Sequence, residues 1–467
     1  MKRTHTLLLT AAVLLMGCVL SCKSDEKGCC HGGAIQVAVP ERPASQESAI
    51  GLKADPIEVV RIGFIGLGDR GTGAVPRYCY IPGVEIKAFC DLRQNCVDRC
   101  QRILEYYGLP AADSYVGDDA WKEVCERDDI DLIYICTDWV HHTPIALYAM
   151  EHGKHVAIEV PAATSLDEIW ALINTCERTR KHCMMLENCV YDFFEMAALK
   201  MAQDGILGEI IHAEGSYLHN LDPFWKGYWD NWRIKFNQAH RGDVYPTHGI
   251  GPICQALNIH RGDRMKTLVS MDTDPFNGPK VYEKLMGEPC ESFANGDQTT
   301  TLIRTEKGKT MVIEHDVMTP RPYDRRFQLI GTDGYAGKYP VEQVCLREKI
   351  ERDVNYQDLD FEKVYWGAEL DALLEEHRSP INTPELEALA KEIGGHGGMD
   401  FIMDYRLIYC LHNGLQLDQD VYDLAEWCCV GPLSSISIEN GNVPVAIPDF
   451  TRGEWNKVDG YHYAFAE

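Results

Sequence analysis

Nineteen cysteines are spread along these 467 residues, yet no two have the Cys-x-x-Cys spacing of a zinc knuckle or ribbon. Scattered rather than clustered, they argue against both a structural zinc and a disulfide framework, and no metal is expected. Cys90, Cys136, Cys183 and Cys189 sit inside apolar stretches and read as buried free thiols. Cys29-Cys30-His31 offers soft ligands, but in a polar stretch that reads as linker. Positive charge is also scarce: 45 Lys and Arg stand against 71 Asp and Glu, a net charge of −26. That balance disfavours nucleic acid or an anionic membrane surface as a partner. No internal repeat occurs at solenoid periods.

Long apolar runs are missing except at the N-terminus. There Lys2-Arg3 precedes Leu7 to Leu20, too short for a confident membrane span and typical of a targeting segment. Leu15-Met16-Gly17-Cys18 and Val19-Leu20-Ser21-Cys22 each resemble a bacterial lipobox, in which the cysteine is lipidated. Cys22 is favoured because polar residues follow it at once. Residues 1–22 are therefore expected to be a lipoprotein signal peptide. Residues 23–57, lacking any periodicity, are expected to be a flexible tether on an exported, lipid-anchored protein.

From Val59 onward the pattern changes. Val59 to Gly66 is a short apolar, β-branched run closed by glycines, as in a buried parallel strand. Glu85–Cys90, Leu132–Cys136, His155–Glu159 and Cys183–Leu186 repeat the pattern, with helical stretches between them such as Cys96–Tyr107 and Pro144–His152. Strand alternating with helix predicts an α/β, doubly wound parallel sheet, a Rossmann domain over 58–187. Beyond Asn188 the strands lengthen (Glu209–Tyr217, Gln298–Thr305, Lys309–Asp316), with helices near Met399–Leu411 and Asp420–Trp427. This predicts a second α/β domain over 188–467 on an open, mostly antiparallel sheet.

Gly66-Leu67-Gly68-Asp69-Arg70-Gly71 closes the first strand as G-x-G-x-x-G, and Asp91 ends the next one. Gly66 permits the tight turn, Gly68 lets the backbone approach a pyrophosphate, and Gly71 allows close helix–strand packing. The helix N-terminus offers amide donors and a positive dipole end to the phosphates. Asp91 can accept from ribose hydroxyls and would repel a 2′-phosphate, so NAD is expected rather than NADP.

Thr137 to His142 and Glu159-Val160-Pro161 follow the fourth and fifth strands, where doubly wound folds place ligand contacts. Here the chain resembles the oxidoreductase family of glucose-fructose oxidoreductase and inositol dehydrogenase. That family commonly carries Glu-Lys-Pro, its lysine assisting proton transfer. Val160 stands in the lysine's place and can neither take up nor donate a proton.

Longer stretches narrow the resemblance. Leu186 to Tyr191, Gly208 to Tyr217, Trp232-Arg233, Tyr245 to Pro252, Arg321-Pro322-Tyr323, Gly395 to Asp400, Val421 to Ala425 and Ile447 to Thr451 are similar to glycoside hydrolase family 109, the NAD-dependent α-N-acetylgalactosaminidase group. The resemblance implies cofactor contacts at Asp69, Arg70, Asp91, Trp139, Val140, His141, His142, Glu159, Val160 and Asn188. It implies sugar contacts at Tyr217, Arg233, Tyr245, Pro246, Thr247, His248 and Tyr323. It also implies a redox-neutral route: oxidation at the sugar C3, loss of the C2 proton, departure of the aglycon, addition of water, and return of the hydride. Most glycosidases need two flanking carboxylates, and NAD-dependent families are an exception. Proton-transfer groups are needed instead, and His248 with Tyr245 suit that role. Which serves C3 and which C2 stays open, and so does a sugar or polyol dehydrogenase as the alternative. A glycoside partner and a homodimer are expected.

Overall fold

The computed structural model describes residues 33–347 and 362–466. The expected signal peptide, Cys18, Cys22 and Cys29-Cys30-His31 lie outside the described residues.

Six strands form the first sheet: β1 (Val60–Ile65), β2 (Val84–Asp91), β3 (Asp113–Val116), β4 (Leu132–Ile135), β5 (His155–Ile158) and β6 (Cys183–Met185). Their order is β3-β2-β1-β4-β5-β6 and all pairs are parallel. The order reverses between β1 and β4, the crevice where such sheets bind nucleotides. Every residue of β4 and β5 is buried, as expected of strands covered on both faces. The crossover helices are α1 (Asp69–Tyr78), α2 (Gln94–Tyr106), α3 (Ala120–Cys125), α4 (Trp139–Glu151) and α5 (Leu166–Thr179). Pro144 does not start its helix, as its position suggested. It lies inside α4, which begins directly beyond β4 and so carries Trp139 to His142 in its first turn.

The second sheet has nine strands: β7 (Ile210–Leu218), β8 (Met265–Asp272), β9 (Thr299–Thr305), β10 (Thr310–Asp316), β11 (Gln328–Gly331), β12 (Gly334–Gly337), β13 (Gln343–Arg347), β14 (Glu362–Tyr365) and β15 (Val445–Ala446). The order is β14-β13-β12-β11-β7-β10-β9-β8-β15, and only β7 with β10 pairs in parallel. In β9 the burial alternates, with Thr299, Thr301, Ile303 and Thr305 facing in and Leu302 facing out. Helices α6 (Phe193–Gln203), α7 (Trp232–Ala239), α8 (Thr247–Ala256), α9 (Gly278–Met286), α10 (Ala368–Glu376), α11 (Pro384–Ile393), α12 (Met399–His412), α13 (Val421–Cys428) and α14 (Val430–Glu439) complete the fold. Helix α8 lies backbone to backbone on β7. A Cβ on Gly215 would stand 2.0 Å from the Gly249 carbonyl oxygen, so this approach requires glycine.

The tether expected over 23–57 is corrected in its described part. Ile35 N–H donates to Pro444 O at 2.8 Å, Arg42 pairs with Glu177 and Glu454, and Ala49 and Leu52 are buried. Glu177, fully buried, also accepts from Arg452 and Tyr422. These irregular, long-range bonds leave no periodicity, which is why composition alone suggested a free linker.

Candidate active site

The glycine loop takes the shape its glycines allow. Gly66 has φ +88°, and a Cβ there would meet Cys136 backbone at 2.6 Å; one on Gly71 would stand 2.0 Å from Gly66 O. Nothing lies within 4 Å of a Cβ on Gly68, and no side chain caps α1. Free amides facing open space fit a pyrophosphate. Asp91, buried at the end of β2, accepts from Leu67 N–H at 2.7 Å and Arg93 N–H at 2.9 Å, so it also braces the loop. Arg93 lies 4.5 Å above the Trp229 ring. Asp69 points to solvent, with Arg99 3.8 Å away.

Arg70 turns inward. It donates to Glu159 at 2.6 Å and to Asp400 at 2.6 Å, while Asn188 Nδ2 donates to Asp400 at 2.6 Å and His396 Nδ1 lies 2.9 Å from it. The Asp400 carboxylate is 1% exposed. Burial alone would push its acid form up, but Arg70, the His396 hydrogen bond and Arg77 hold it well below the usual carboxylate range. Sequence reasoning brought Arg70, Glu159 and Asn188 to one ligand but missed Asp400. The run Gly394 to Gly398, whose backbone all has positive φ, was the available signal. Val160 is buried beside Glu159. His142 spans the Pro161 carbonyl at 2.9 Å and the Thr137 carbonyl at 3.1 Å, bracing two strand-end loops. His141 is exposed against Asp138, and Val140 is exposed too.

The sugar-side residues converge on Arg233. Its guanidinium lies 5.0 Å from the Trp139 ring, 5.1 Å from Tyr228 and 4.8 Å from Tyr245, and it donates to Tyr228 Oη at 2.6 Å. Tyr217 packs against Tyr245 at 4.6 Å and contacts His219 Nδ1 at 3.2 Å; Tyr323 stands edge-on to His219. Burial pushes the Tyr217 phenol up to about 12, against Arg233, and drives His219 down to about 4 with help from Arg233. Trp225 Nε1, Arg233 Nε and both ring nitrogens of His315 are buried without a protein partner.

Tyr245 and His248 flank the start of α8. Tyr245 Oη lies 3.3 Å from His248 Nε2, and His248 Nδ1 lies 2.7 Å from Glu187 Oε1. Pro246 O accepts from Gly249 and Ile250, and Thr247 is fully buried, so both anchor the helix. Burial, then Tyr217, holds the Tyr245 phenol well above its usual range. Glu187, also fully buried, lies below its usual range. Burial opposes this, but the interaction with His248 and the hydrogen bond from Cys189 N–H outweigh it. Among the described residues, two groups bring His, Cys or acidic donor atoms within 4.8 Å: Glu187–Cys189–His248 and His260–Asp420–Asp423. An arginine already sits in each, Arg325 3.2 Å from Cys189 Sγ and Arg261 2.7 Å from Asp423. Such a charge opposes a metal ion, and neither reads as a metal centre. Cys90, Cys183 and Cys189 are buried thiols, Cys136 nearly so, and burial raises Cys90 to about 12.

The fold and the phosphate loop define an NAD-binding protein of oxidoreductase architecture. Residues 60–187 match the model described as oxidoreductase family, NAD-binding Rossmann fold. A levoglucosan dehydrogenase complexed with NADH and L-sorbose superposes with a TM-score of 0.63 at 18% identity, over 84% of this chain and 100% of that one. The apo scyllo-inositol dehydrogenase of Lactobacillus casei gives 0.58 at 13% identity, over 84% and 99%. Both similarities concern the fold. Residues 191–457 match glycosyl hydrolase 109, C-terminal domain. The chain belongs to glycosyl hydrolase family 109. It is 62% identical over 437 residues to glycosyl hydrolase family 109 protein 1 of Bacteroides thetaiotaomicron, covering 93% of each. It is 59% identical over 437 residues to a family 109 protein of Porphyromonas gingivalis, again covering 93% of each.

Proposed function

We propose that this protein is a glycosidase that retains NAD through each turnover and hydrolyses terminal α-N-acetylgalactosaminides with no net redox change. The observation that carries the reading is the Tyr245–His248 pair set against Val160: the proton-transfer groups stand on the second domain, and the strand-end position used by dehydrogenases is inert. What a bound NAD supplies is a reversible hydride acceptor for the sugar C3. Gly66, Gly68 and Gly71 would hold its pyrophosphate and Asp91 its ribose, while Arg70, Glu159 and Asn188 would frame its reactive end. His248 and Tyr245 then exchange protons with the sugar. Once C3 is a ketone, the C2 proton is acidic enough for a neutral imidazole, and the C1–O bond breaks as the aglycon oxygen leaves and takes up a proton. Water then adds at C1, a proton returns to C2, and the C3 ketone is reduced back to the alcohol. Arg233 and Tyr217 would hold the sugar.

The test is purification without added cofactor, release of NAD by denaturation, and assay of an aryl α-N-acetylgalactosaminide with none supplied. Aglycon release without NADH accumulation is expected. NADH that accumulates only with added NAD, and no bond cleavage, would indicate a sugar or polyol dehydrogenase and overturn the reading.

Export and lipid anchoring through Cys22 or Cys18 belong to the same proposal, on the strength of Lys2-Arg3 and the Leu7–Leu20 run. Palmitate labelling that survives replacement of both cysteines would refute it. The exposed face of the second sheet carries Ile211, Met271 and Leu302, which suits a homodimer. A monomer mass by light scattering would refute that part.

A further inference from the structure

Glu187 is absent from the residues that motif reading would assign a role, yet it controls how His248 presents itself. It ends the chain segment beyond β6 and accepts from Cys189 N–H at 3.0 Å, while its own carbonyl accepts from Gln419 Nε2 at 3.0 Å. Helix α8 packs onto it so closely that a Cβ on Gly251 would meet Glu187 Cγ at 3.0 Å. The side chain is 0% exposed and has no room to turn.

A carboxylate only accepts, so at 2.7 Å from it His248 Nδ1 must carry a proton. The buried Tyr245 phenol keeps its own proton and donates to Nε2 at 3.3 Å. The chain of donors therefore runs from Tyr245 through His248 to Glu187, from the sugar side into the protein. The other titratable groups around His248 are Tyr217 of β7, His219 just beyond that strand, Tyr245 on its own segment, and Cys189 beside Glu187. Burial keeps Tyr217, Tyr245 and Cys189 protonated, and it keeps His219 neutral. Arg233 acts on the same cluster from α7. Glu187 is thus the one anion among the groups that face the imidazole.

We infer that Glu187 is a positioning residue, which fixes His248 as the Nδ1–H tautomer and aims Nε2 at Tyr245 and the sugar. The inference rests on the proposed glycosidase chemistry for its rate effect, but not for the tautomer.

The test uses the full, NAD-loaded chain carrying Glu187→Gln, Glu187→Asp or His248→Gln, and the E187Q/H248Q double variant. Glu187→Gln keeps the shape and removes the charge. Its kcat should fall about 100-fold, the loss typical of deleting a carboxylate behind a working histidine. In the H248Q background the same change should cost no more than about 2-fold, because the two residues act as one unit. Nitrogen-15 histidine NMR should show His248 protonated at Nδ1 in the wild type and a mixed tautomer in Glu187→Gln. An equal loss in both backgrounds, or an unchanged tautomer and kcat, overturns the inference. Should Glu187→Gln not fold, Glu187→Asp carries the test: kcat falls while His248 stays protonated at Nδ1, and a mixed tautomer overturns it. A wild type that cleaves no glycoside would defeat the proposed function instead, and the NMR comparison would still decide the role of Glu187.

Discussion

Tyr245→Phe separates chemistry from architecture more cleanly than any other single change at this site. The ring of Tyr245 is wedged between Tyr217 at 4.6 Å and Trp139 at 5.5 Å, with the Arg233 guanidinium 4.8 Å above it. Phenylalanine keeps all three contacts and removes one oxygen, whose partner is His248 Nε2 at 3.3 Å. A net hydrogen bond of that kind contributes about 1 kcal/mol, so the melting temperature should move by at most about 3 °C. Loss of a proton-transfer group from the reacting sugar should lower kcat by roughly 100- to 10,000-fold. If the hydroxyl also touches the ground-state sugar, KM rises by no more than about 10-fold, the equivalent of one such bond. The assay is aglycon release by the NAD-loaded protein, with a thermal melt alongside and exchange of the sugar C2 hydrogen into deuterated solvent as a second reading of the proton step. A kcat within about 3-fold of wild type would show that the hydroxyl moves no proton and refute the assignment. A large fall in melting temperature would refute the packing argument instead.

Gly68→Ala should leave the fold intact, since its Cβ meets nothing within 4 Å, yet retain no NAD after purification; Gly71→Ala, with a Cβ 2.0 Å from Gly66 O, should destabilise the protein itself. Absorbance of the denatured extract and a thermal melt distinguish the two. Asp400→Asn leaves Arg70 and Arg77 facing a neutral amide and should cost about 3 kcal/mol at neutral pH, read by chemical denaturation. Because the Asp400 carboxyl is held low in the folded state, its contribution is complete above the unfolded value near 4 and is lost as pH falls through the folded value. The gap between wild type and Asp400→Asn should therefore close in acid, and a gap independent of pH would contradict the assignment. Starting the chain at Glu58 removes Arg42, Ala49 and Leu52 and should destabilise the fold by at least about 2 kcal/mol, whereas a free tether would cost nothing.

What could be read from the sequence was local. The strand before the glycine loop is a period-free apolar run, the loop demands glycine at fixed offsets, and Asp91 falls at the next strand end, so the first domain was legible with its NAD site. The longer strands beyond Asn188 likewise pointed to a mostly antiparallel sheet. What escaped depends on contacts between distant residues. Arg70 meets Asp400 330 positions away and Arg42 meets Glu454 412 positions away, with no period to betray either. Glu187 was hidden differently. An acid after a strand reads as solvent-facing, and only the approach of α8 on Gly215 and Gly249 buries it against His248. Asp91 was only partly legible, because its bonds to Leu67 and Arg93 brace the loop before any ribose is considered.

The position of the valine explains why a dehydrogenase fold can serve hydrolysis. In the oxidoreductase family that the first domain resembles, a lysine after β5 assists proton transfer where the nicotinamide reacts. Val160, buried at that point, cannot, so the proposed oxidation at C3 would rely on groups from elsewhere. In the proposed mechanism His248 of α8 and Tyr245, two residues ahead of that helix, would supply those groups, and the same pair would act at the neighbouring carbon. On that reading, moving the proton-transfer groups off the Rossmann sheet would let one site serve two adjacent carbons while the cofactor stays in place. Holding NAD through such a cycle would then matter more than exchanging it, and the Arg70–Glu159–Asp400–Asn188 network, which ties the phosphate loop to α12, would serve that retention.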